Sequence, residues 1–504
     1  MLPEATTRLP PELYTAARVR AFDQIAIEGL GLGGGTLMER AGMAAYRALR
    51  ARWPEVRRVA VVAGSGNNGG DGYVVARLAR QEGLAATVLA VGDHGRLRGD
   101  ALAAAQRARE AGVAVEPMTA VTLGAADLVV DALFGTGLDR PVEGAAAEAV
   151  HALNGSRRPV LAVDIPSGLH ADTGRVLGVA TVAAETVTFV ALKRGLFTGQ
   201  GPAHCGRVLF HGLGLPPEVF AGAEPDAVRL DPVGLARALL QERARDAHKG
   251  HFGHVLVVGG DHGYAGAARL AAEAAARCGA GLVTVATRAA HAIPLLATRP
   301  ELMARGVEST DELGPLLERA SVVALGPGLG HAEWGRALAA AVLARPLPRV
   351  VDADGLQHLI AEGDGHADQV LTPHPGEAAR LLGVSSAEVQ ADRFAAAARL
   401  RERFGGVVVL KGAGTLVQGG DGPVGVCDRG NPGMATGGMG DVLTGIVAAF
   451  RAQGLSAWDA ARLGVCLHAQ AADLAVRDGG ERGLLATDLL GPLRRLVNPL
   501  RDLG

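Results

Sequence analysis

The sequence predicts an α/β protein made of two doubly wound domains. Short apolar runs alternate with alanine-rich helical stretches, and this pattern starts twice along the chain. The apolar runs end in Gly or Asp and lead into helices, which is typical of parallel strands in a sheet covered on both faces. A chain of 504 residues is also too long for one ordinary core.

The first domain is predicted over residues 1–222. Its predicted strands are residues 58–63, 87–91, 128–131, 160–164, 186–190 and 208–211. Two amphipathic stretches before the first strand, 14–27 and 37–50, predict long helices. Residues 214–232 contain prolines and acidic residues and are interpreted as a linker.

The second domain is predicted over residues 223–504, where the pattern restarts. Its predicted strands are residues 253–258, 282–286, 322–325, 349–352, 369–371 and 407–410. A helix is predicted over 265–278, and a last long helix is predicted to begin near residue 441.

Composition excludes several function classes. The formal net charge is −2 and aromatic residues make up 3%, so neither a basic footprint nor a stacking platform for nucleic acid is present. The four cysteines form no CxxC pair, and residues 1–20 hold no apolar core of signal-peptide length. With no apolar run of 18 residues, the sequence predicts a cytoplasmic protein that binds neither nucleic acid nor membrane.

A glycine-rich loop follows the first predicted strand. It reads Gly64-Ser-Gly-Asn-Asn-Gly-Gly-Asp-Gly72. Glycines at a strand-to-helix junction expose backbone N–H groups to phosphate, and the helix dipole adds to this attraction. The alternative is a simple tight turn, but a turn does not need two Asn and an Asp.

Two later strands end in similar loops. They are Asp131-Ala-Leu-Phe-Gly-Thr-Gly137 and Asp164-Ile-Pro-Ser-Gly168. Such strand ends should meet at one edge of the sheet, where Asn68, Asp131, Asp164 and Ser167 offer hard oxygen ligands for a cation. Taken alone, either Asp could instead cap a helix.

These motifs, together with Leu37-Met-Glu-Arg-Ala-Gly42, resemble the NAD(P)H-hydrate epimerase family, whose fold is Rossmann-like. The resemblance implies a potassium ion held by Asn68, Asp131 and Ser167. It also implies Asp164 as a contact of the damaged nicotinamide ring and, with Lys193, as a candidate acid or base. The implied binding loops are Asn67, Asn68, Gly69, Gly70 and Asp71 for the hydrate, and Gly135, Thr136, Gly137, Leu138, Asp139, Arg140 and Pro141 for phosphate.

In the second half, Asn431-Pro-Gly-Met-Ala-Thr-Gly-Gly-Met-Gly-Asp441 runs directly into a helix. Gly437, Gly438 and Gly440 place free amides at a helix N-terminus, which can hold a transferring phosphate. Asp441 stands where it could take a proton from an attacking hydroxyl. The alternative reading is that Asp441 only caps the helix.

This arrangement resembles the ribokinase-like superfamily and, within it, the ADP-dependent NAD(P)H-hydrate dehydratases. The matching runs are Lys249-Gly-His-Phe-Gly253, Gly263-Tyr-Ala-Gly-Ala267, Gly326-Pro-Gly-Leu-Gly330, Asp352-Ala-Asp354, Thr372-Pro-His-Pro-Gly-Glu377 and Lys411-Gly412. The resemblance implies Asp441 as catalytic base, hydrate contacts at Ala267, Gly328 and His374, and ADP contacts at Lys411, Gly412, Ala413, Gly414, Thr415, Gly437, Gly438, Met439, Gly440 and Asp441. Alternatively, His374 only forms hydrogen bonds within its loop. Asp352 and Asp354 are either structural residues or contribute to binding a magnesium ion.

The implied function is repair of hydrated NADH and NADPH, small-molecule substrates, by a homo-oligomer. The first domain would interconvert the R and S hydrates, and the second would phosphorylate the S hydrate with ADP and eliminate phosphate, leaving AMP. An alternative is a small-molecule kinase of the hydroxymethylpyrimidine or hydroxyethylthiazole type fused to a non-catalytic binding module. The two differ in product, since a kinase leaves a stable phosphoester.

Overall fold

The computed structural model describes residue 6 and residues 8–362, 365–420 and 422–498. The contacts divide the chain into two compact units, Met1–Val228 and Arg229–Gly504. Residues 1–5 and 7, in the segment predicted to hold no signal peptide, lie outside the described residues. So do the start of the first predicted domain and the end of the second. Across the part of the chain that is described, no helix is both long and apolar enough to cross a bilayer.

The first unit contains a parallel sheet with helices on its faces. The strands of this unit are β1 (Glu12–Tyr14), β2 (Arg58–Ala63), β3 (Ala85–Ala90), β4 (Ala114–Pro117), β5 (Leu128–Ala132), β6 (Val160–Val163), β7 (Glu185–Phe189), β8 (Leu192–Lys193) and β9 (Arg207–His211). β1 and β8 are not part of the parallel sheet. Its helices are α1 (Ala16–Gln24), α2 (Gly34–Arg52), α3 (Asn67–Gln81), α4 (Gly99–Glu110), α5 (Ala120–Ala125), α6 (Gly144–Gly155) and α7 (Gly201–Cys205).

The sheet order, β4-β3-β2-β5-β6-β7-β9, is that of a doubly wound fold. Strands β3 and β4 follow β2 on one side of it, and β5, the next strand in the chain, pairs with β2 on its other side. The topological switch point therefore lies between β2 and β5, and ligands of such sheets bind outside the carboxyl ends of the strands there. β5 is buried along its whole length, and β2 from its second residue, which explains their continuous apolar sequence.

The second unit repeats this plan and adds a short antiparallel edge. After β10 (Ala227–Arg229) at the boundary, its strands are β11 (His254–Val258), β12 (Leu282–Thr287), β13 (Met303–Gly306), β14 (Val322–Leu325), β15 (Arg349–Val351), β16 (Gln369–Leu371), β17 (Val407–Leu410), β18 (Thr415–Gln418) and β19 (Val424–Cys427). Its helices are α8 (Pro232–Leu239), α9 (Ala265–Arg277), α10 (Ala289–Thr298), α11 (Thr310–Leu317), α12 (Glu333–Leu343), α13 (Asp354–Glu362), α14 (Pro375–Leu382), α15 (Ser386–Ala391), α16 (Arg393–Phe404), α17 (Met439–Ala452), α18 (Ala457–Gly479) and α19 (Leu490–Leu496).

The order in the second unit is β13-β12-β11-β14-β15-β16-β17-β18-β19, parallel as far as β17. Its switch point lies between β11 and β14. Strands β18 and β19 pair antiparallel to their neighbours. The buried core contains α9 and α17, whose apolar faces pack together against the sheet.

The predicted α/β fold class is confirmed, and several local predictions are wrong. The predicted helix 14–27 begins as strand β1, and α1 ends at Gln24 before a π-helical turn to Gly29. The predicted linker is partly ordered, because Ala227 and Val228 of β10 pair antiparallel with β1. The helix near residue 441 is not the last, since α18 and α19 follow it. Strands β4, β13, β18 and β19 are too short or too polar to stand out in the sequence.

Candidate functional site

The first unit has a cavity of about 970 Å³ at the carboxyl ends of β2, β5 and β6. That volume lies at the upper end of the range for small-molecule and cofactor sites. Its walls include Asn67, Asn68 and Asp71 after β2, the whole loop 135–141 after β5, and Asp164 after β6. The three strand ends predicted to converge therefore do so, and they face one cavity.

Asp164 and Lys193 form an ion pair in this cavity. Lys193 lies in β8, and its side chain is 1% exposed. Its Nζ donates to the Asp164 carboxylate, to Thr188 Oγ1 at 3.0 Å and to the Phe189 carbonyl at 2.9 Å. These three oxygen partners compensate for the burial of this polar side chain.

The backbone around the cavity is strained at several positions. Asp164 has a φ of +69°, Val190 of +66° and Leu213 of +51°, and all three line the cavity. Positive φ is costly for residues with a Cβ, and most of all for a β-branched one. Strain of this kind persists where the surrounding structure holds a functional group in place, which marks this cavity as a candidate active site.

Two further carboxylates face the Asp164–Lys193 pair. Burial, together with Asp164 and Asp23, raises the pKa of Asp71 well above its usual value. Burial also raises the pKa of Asp23 to about 6, with Lys193 opposing and Asp164 reinforcing the shift. Asp23, on α1, was not predicted from the sequence, because a single acidic residue in an amphipathic helix looks like any solvated position.

The three residues predicted to hold potassium come together around Phe134. Asn68 Nδ2 donates to the Phe134 carbonyl at 2.9 Å, and the Ser167 Oγ lies 3.3 Å from the same oxygen. Ser167 also donates to Asp131 through its hydroxyl at 2.6 Å and its backbone N–H at 2.8 Å. Asn68 Oδ1 is buried and has no hydrogen-bond partner among the described residues. An unsatisfied buried oxygen beside a buried carboxylate suits a cation.

Gly69 and Gly70, predicted as hydrate contacts, do not line the cavity. A Cβ on Gly69 would lie 2.0 Å from the Gly64 carbonyl oxygen, and one on Gly70 would lie 2.6 Å from the Met38 side chain. These glycines let α3 start close to the β2 loop and pack against α2. Their role is close approach of the backbone.

In the second unit, Asp352 and Lys411 form the centre of the candidate phosphoryl-transfer site. Lys411 Nζ donates to Asp352 Oδ1 at 2.7 Å, and Thr444 Oγ1 donates to Asp352 Oδ2 at 2.8 Å. Burial alone would raise the pKa of Asp352, but Lys411 and these hydrogen bonds hold it below its usual value. Thr444, on α17, was not predicted, because nothing in an apolar helix marks one Thr as a carboxylate partner.

Asp441 lies in the first turn of α17, close to this pair. Gly438, with a φ of +89°, is the residue before the helix, and no side chain caps it, so Asp441 is not the N-cap. A Cβ on Gly440 would lie 3.2 Å from Lys411 Nζ and 3.3 Å from Asp352 Oδ2, which places the glycine run directly against both. Burial, followed by Asp352, raises the pKa of Asp441 to about 7.

Contacts are also found among other predicted residues of the second site. The Lys411 backbone N–H donates to the Pro373 carbonyl, so the 411–415 loop begins beside the residue that precedes His374. His374 caps α14, since its Nδ1 accepts from the N–H groups of Gly376 and Glu377, while half of its side chain stays exposed. Gly328 has a φ of +62°, and a Cβ there would lie 3.3 Å from that of Ala267. His374 thus forms hydrogen bonds within its loop, as the alternative interpretation of the sequence predicted.

Comparisons with known proteins find relatives of both units. Residues 255–495 match the family described as NAD(P)H-hydrate dehydratase, and residues 34–195 match the YjeF-related protein N-terminus. The bifunctional NAD(P)H-hydrate repair enzyme Nnr of Coxiella burnetii is 49% identical over 97% of this chain and 99% of its own. The enzyme of the same name from Escherichia coli K12 is 45% identical over 97% and 95%. The ADP/ATP-dependent NAD(P)H-hydrate dehydratase of Bacillus subtilis, crystallised with ATP and Mg²⁺, is 30% identical, with a TM-score of 0.47 over 52% of this chain and 94% of its own.

Proposed function

The chain belongs to the family of bifunctional NAD(P)H-hydrate repair enzymes, and we propose that its two units repair hydrated NADH and NADPH in succession. The first unit interconverts the R and S hydrates, and the second converts the S hydrate to the intact cofactor with ADP. The observation that supports this most directly is the presence of a separate titratable centre in each unit, Asp164–Lys193 in one and Asp441 beside Asp352–Lys411 in the other.

The first cavity has the groups that epimerisation requires. The hydrate has a hydroxyl on the carbon next to the ring nitrogen. Protonation of that hydroxyl lets the nitrogen lone pair expel water, and water returns to the other face. Asp164, whose carboxyl group accepts a hydrogen bond from Lys193 Nζ, is suited to take the proton from the incoming water.

A potassium ion fits beside this cavity. The residues that would hold it are Asn68, through its unpartnered Oδ1, Asp131 and Ser167. When bound, the ion would supply positive charge next to the substrate pyrophosphate and offset the repulsion from Asp131. Hard oxygen donors of this kind are what such an ion prefers.

The second site has the groups for phosphoryl transfer followed by elimination. The amides at the start of α17 would hold the transferring phosphate of ADP, and Lys411 adds positive charge beneath them. Asp441, with a pKa of about 7, would accept the proton of the hydrate hydroxyl as it attacks phosphorus. The nitrogen lone pair then expels phosphate as the C–O bond breaks, and a proton passes from the neighbouring ring carbon to solvent. This restores the reduced nicotinamide ring, so that intact NADH or NADPH, AMP and phosphate result.

Magnesium would enter this site with the nucleotide. Both oxygens of Asp352 already accept hydrogen bonds, from Lys411 and Thr444. Asp354 accepts from the Gly330 N–H at 2.9 Å through Oδ2, and its Oδ1 lies 3.1 Å from His331 Nε2. It stays partly exposed, unlike the buried Asp352, and could therefore approach a phosphate-bound ion. Mg²⁺ usually binds through one or two carboxylates, substrate phosphates and water.

One assay tests the proposal. Enzymatically prepared R and S hydrates are incubated with the protein and either ADP or ATP, the epimers are separated by chromatography, and the near-ultraviolet absorbance of reduced nicotinamide is followed. We expect epimer exchange without nucleotide and recovery of absorbance only with nucleotide. A stable phosphorylated product without recovery of absorbance would instead identify a kinase.

A further inference from the structure

Asp23 on α1 lies in the epimerase cavity and has no role in the reaction as described so far. The inference below rests on the proposed epimerisation. That reaction moves a hydroxyl between two faces of a ring, and it must run in both directions. By microscopic reversibility, the group that gives a proton in one direction takes it in the other, so the site needs one proton-transfer group for each face. Asp164 with Lys193 provides one.

The structure places Asp23 close to that pair but on a different element. Asp23 comes from α1, whereas Asp164 follows β6 and Lys193 lies in β8. All three line the same cavity. Lys193 and Asp164 are near enough to shift the pKa of Asp23 in opposite directions, and burial raises it to about 6. The other ionisable side chains that line this cavity are those of Arg20, Asp71, Asp100, Asp139, Arg140 and Glu143.

The two carboxyl groups have different environments. Asp164 accepts a hydrogen bond from the buried Lys193 ammonium, and Thr188 Oγ1 lies 3.4 Å from it. Asp23 has an environment in which burial dominates, and this favours its protonated form. Two carboxyl groups whose environments differ in this way are suited to the separate tasks of base and acid.

We propose that Asp23 is a catalytic residue of the epimerase site and exchanges the proton of the departing or arriving hydroxyl opposite Asp164. In one direction, the Asp23 carboxylic acid protonates the hydroxyl, the C–O bond breaks, and the nitrogen lone pair forms a C=N⁺ bond. Water then adds to the other face and gives its proton to Asp164. The products are the opposite epimer, an ionised Asp23 and a protonated Asp164, and the reverse direction restores the starting state.

The test compares Asp23→Asn with Asp23→Glu and with Glu28→Gln in the full-length protein. Glu28 lies in the turn that follows α1; it is exposed, accepts from Gln24 Nε2 at 3.0 Å and is not one of the residues that line the cavity. We expect Asp23→Asn to lower kcat for epimerisation about 10²–10⁴-fold in both directions. Asp23→Glu should restore part of this loss, and Glu28→Gln should leave kcat close to wild type.

The pH profile separates a catalytic role from a structural one. In the direction where Asp23 is the acid, wild-type kcat/KM should fall as the pH rises through about 6, and Asp23→Asn should lose this limb. ADP-dependent dehydration of the S hydrate by the same variant serves as the internal control and should be unchanged. If the wild-type protein epimerises the hydrates and the Asp23→Asn variant is equally active, the catalytic role of Asp23 is overturned but the proposed function is not. A wild-type protein that does not epimerise overturns the proposed function, and the inference with it.

Discussion

At the scale of single residues, Asp441 gives the sharpest expectation for the second unit. Asp441→Asn should lower ADP-dependent dehydration by about two to four orders of magnitude, because it removes a general base, and should leave epimerisation intact. In the wild-type protein the base must be ionised, so kcat/KM for dehydration should rise with pH through about 7. Rates measured with purified S hydrate across this range check both points. A variant with wild-type turnover would make Asp441 a structural residue.

Asp131 gives the corresponding expectation for the potassium site. Asp131→Asn removes the only full charge among the three proposed ligands, so it should weaken epimerisation in the same way as replacing potassium by a bulky organic cation. Asp131 accepts from Ser167 twice, and a loss of folding is therefore checked by circular dichroism. Binding of ADP, measured by calorimetry, should not change in either case. An unaltered epimerisation rate in buffer free of potassium and sodium would contradict the proposal that a bound cation is needed.

At the scale of an element, His374 at the start of α14 combines a structural and a proposed binding role. Its Nδ1 caps the helix, and Glu377 accepts from the His374 backbone N–H at 2.6 Å to complete a capping box. His374→Ala should cost about 0.5–2 kcal/mol of stability through the lost cap. His374→Asn keeps a capping side chain and should unfold near the wild-type temperature.

The matched pair therefore separates the two roles of His374. If its exposed imidazole contacts the hydrate, both variants should raise KM for the S hydrate, although only the alanine variant loses stability. Initial rates and thermal unfolding of the same preparations give the answer. A His374→Asn variant with wild-type KM would leave the residue as a helix cap only.

At the scale of the whole molecule, each unit has its own buried core, one centred on α9 and α17 and one on α2 and α3. Ligands should therefore stabilise the units separately. At about 100 times its Kd, ADP should add about 2.7 kcal/mol to the unfolding free energy of the second unit and leave that of the first unchanged. Scanning calorimetry with and without ADP should show one transition shifted out of two. A single transition that moves as a whole would show that the units unfold together.

The sequence by itself determined the fold class and most of the loops of both sites. Continuous apolar runs are required by strands buried on both faces, and the glycine-rich loops at 64–72 and 437–441 stand out because free amides near phosphate need residues without side chains. Asp441 could be found because it ends the second of these loops, and Asp164 because it begins a glycine-containing loop at the end of a strand.

Only the tertiary structure decided which side chains face one another. Asp23 and Thr444 lie in helices whose sequences give no sign of function. Their proposed roles depend on residues far away in the chain, because Asp23 lies near Lys193 and Thr444 donates to Asp352. Gly69 and Gly70 look like ligand contacts in the sequence but are buried against other backbone and side chains. Burial and pairing set the pKa of a carboxyl group, and both depend on packing between elements, which local sequence does not specify.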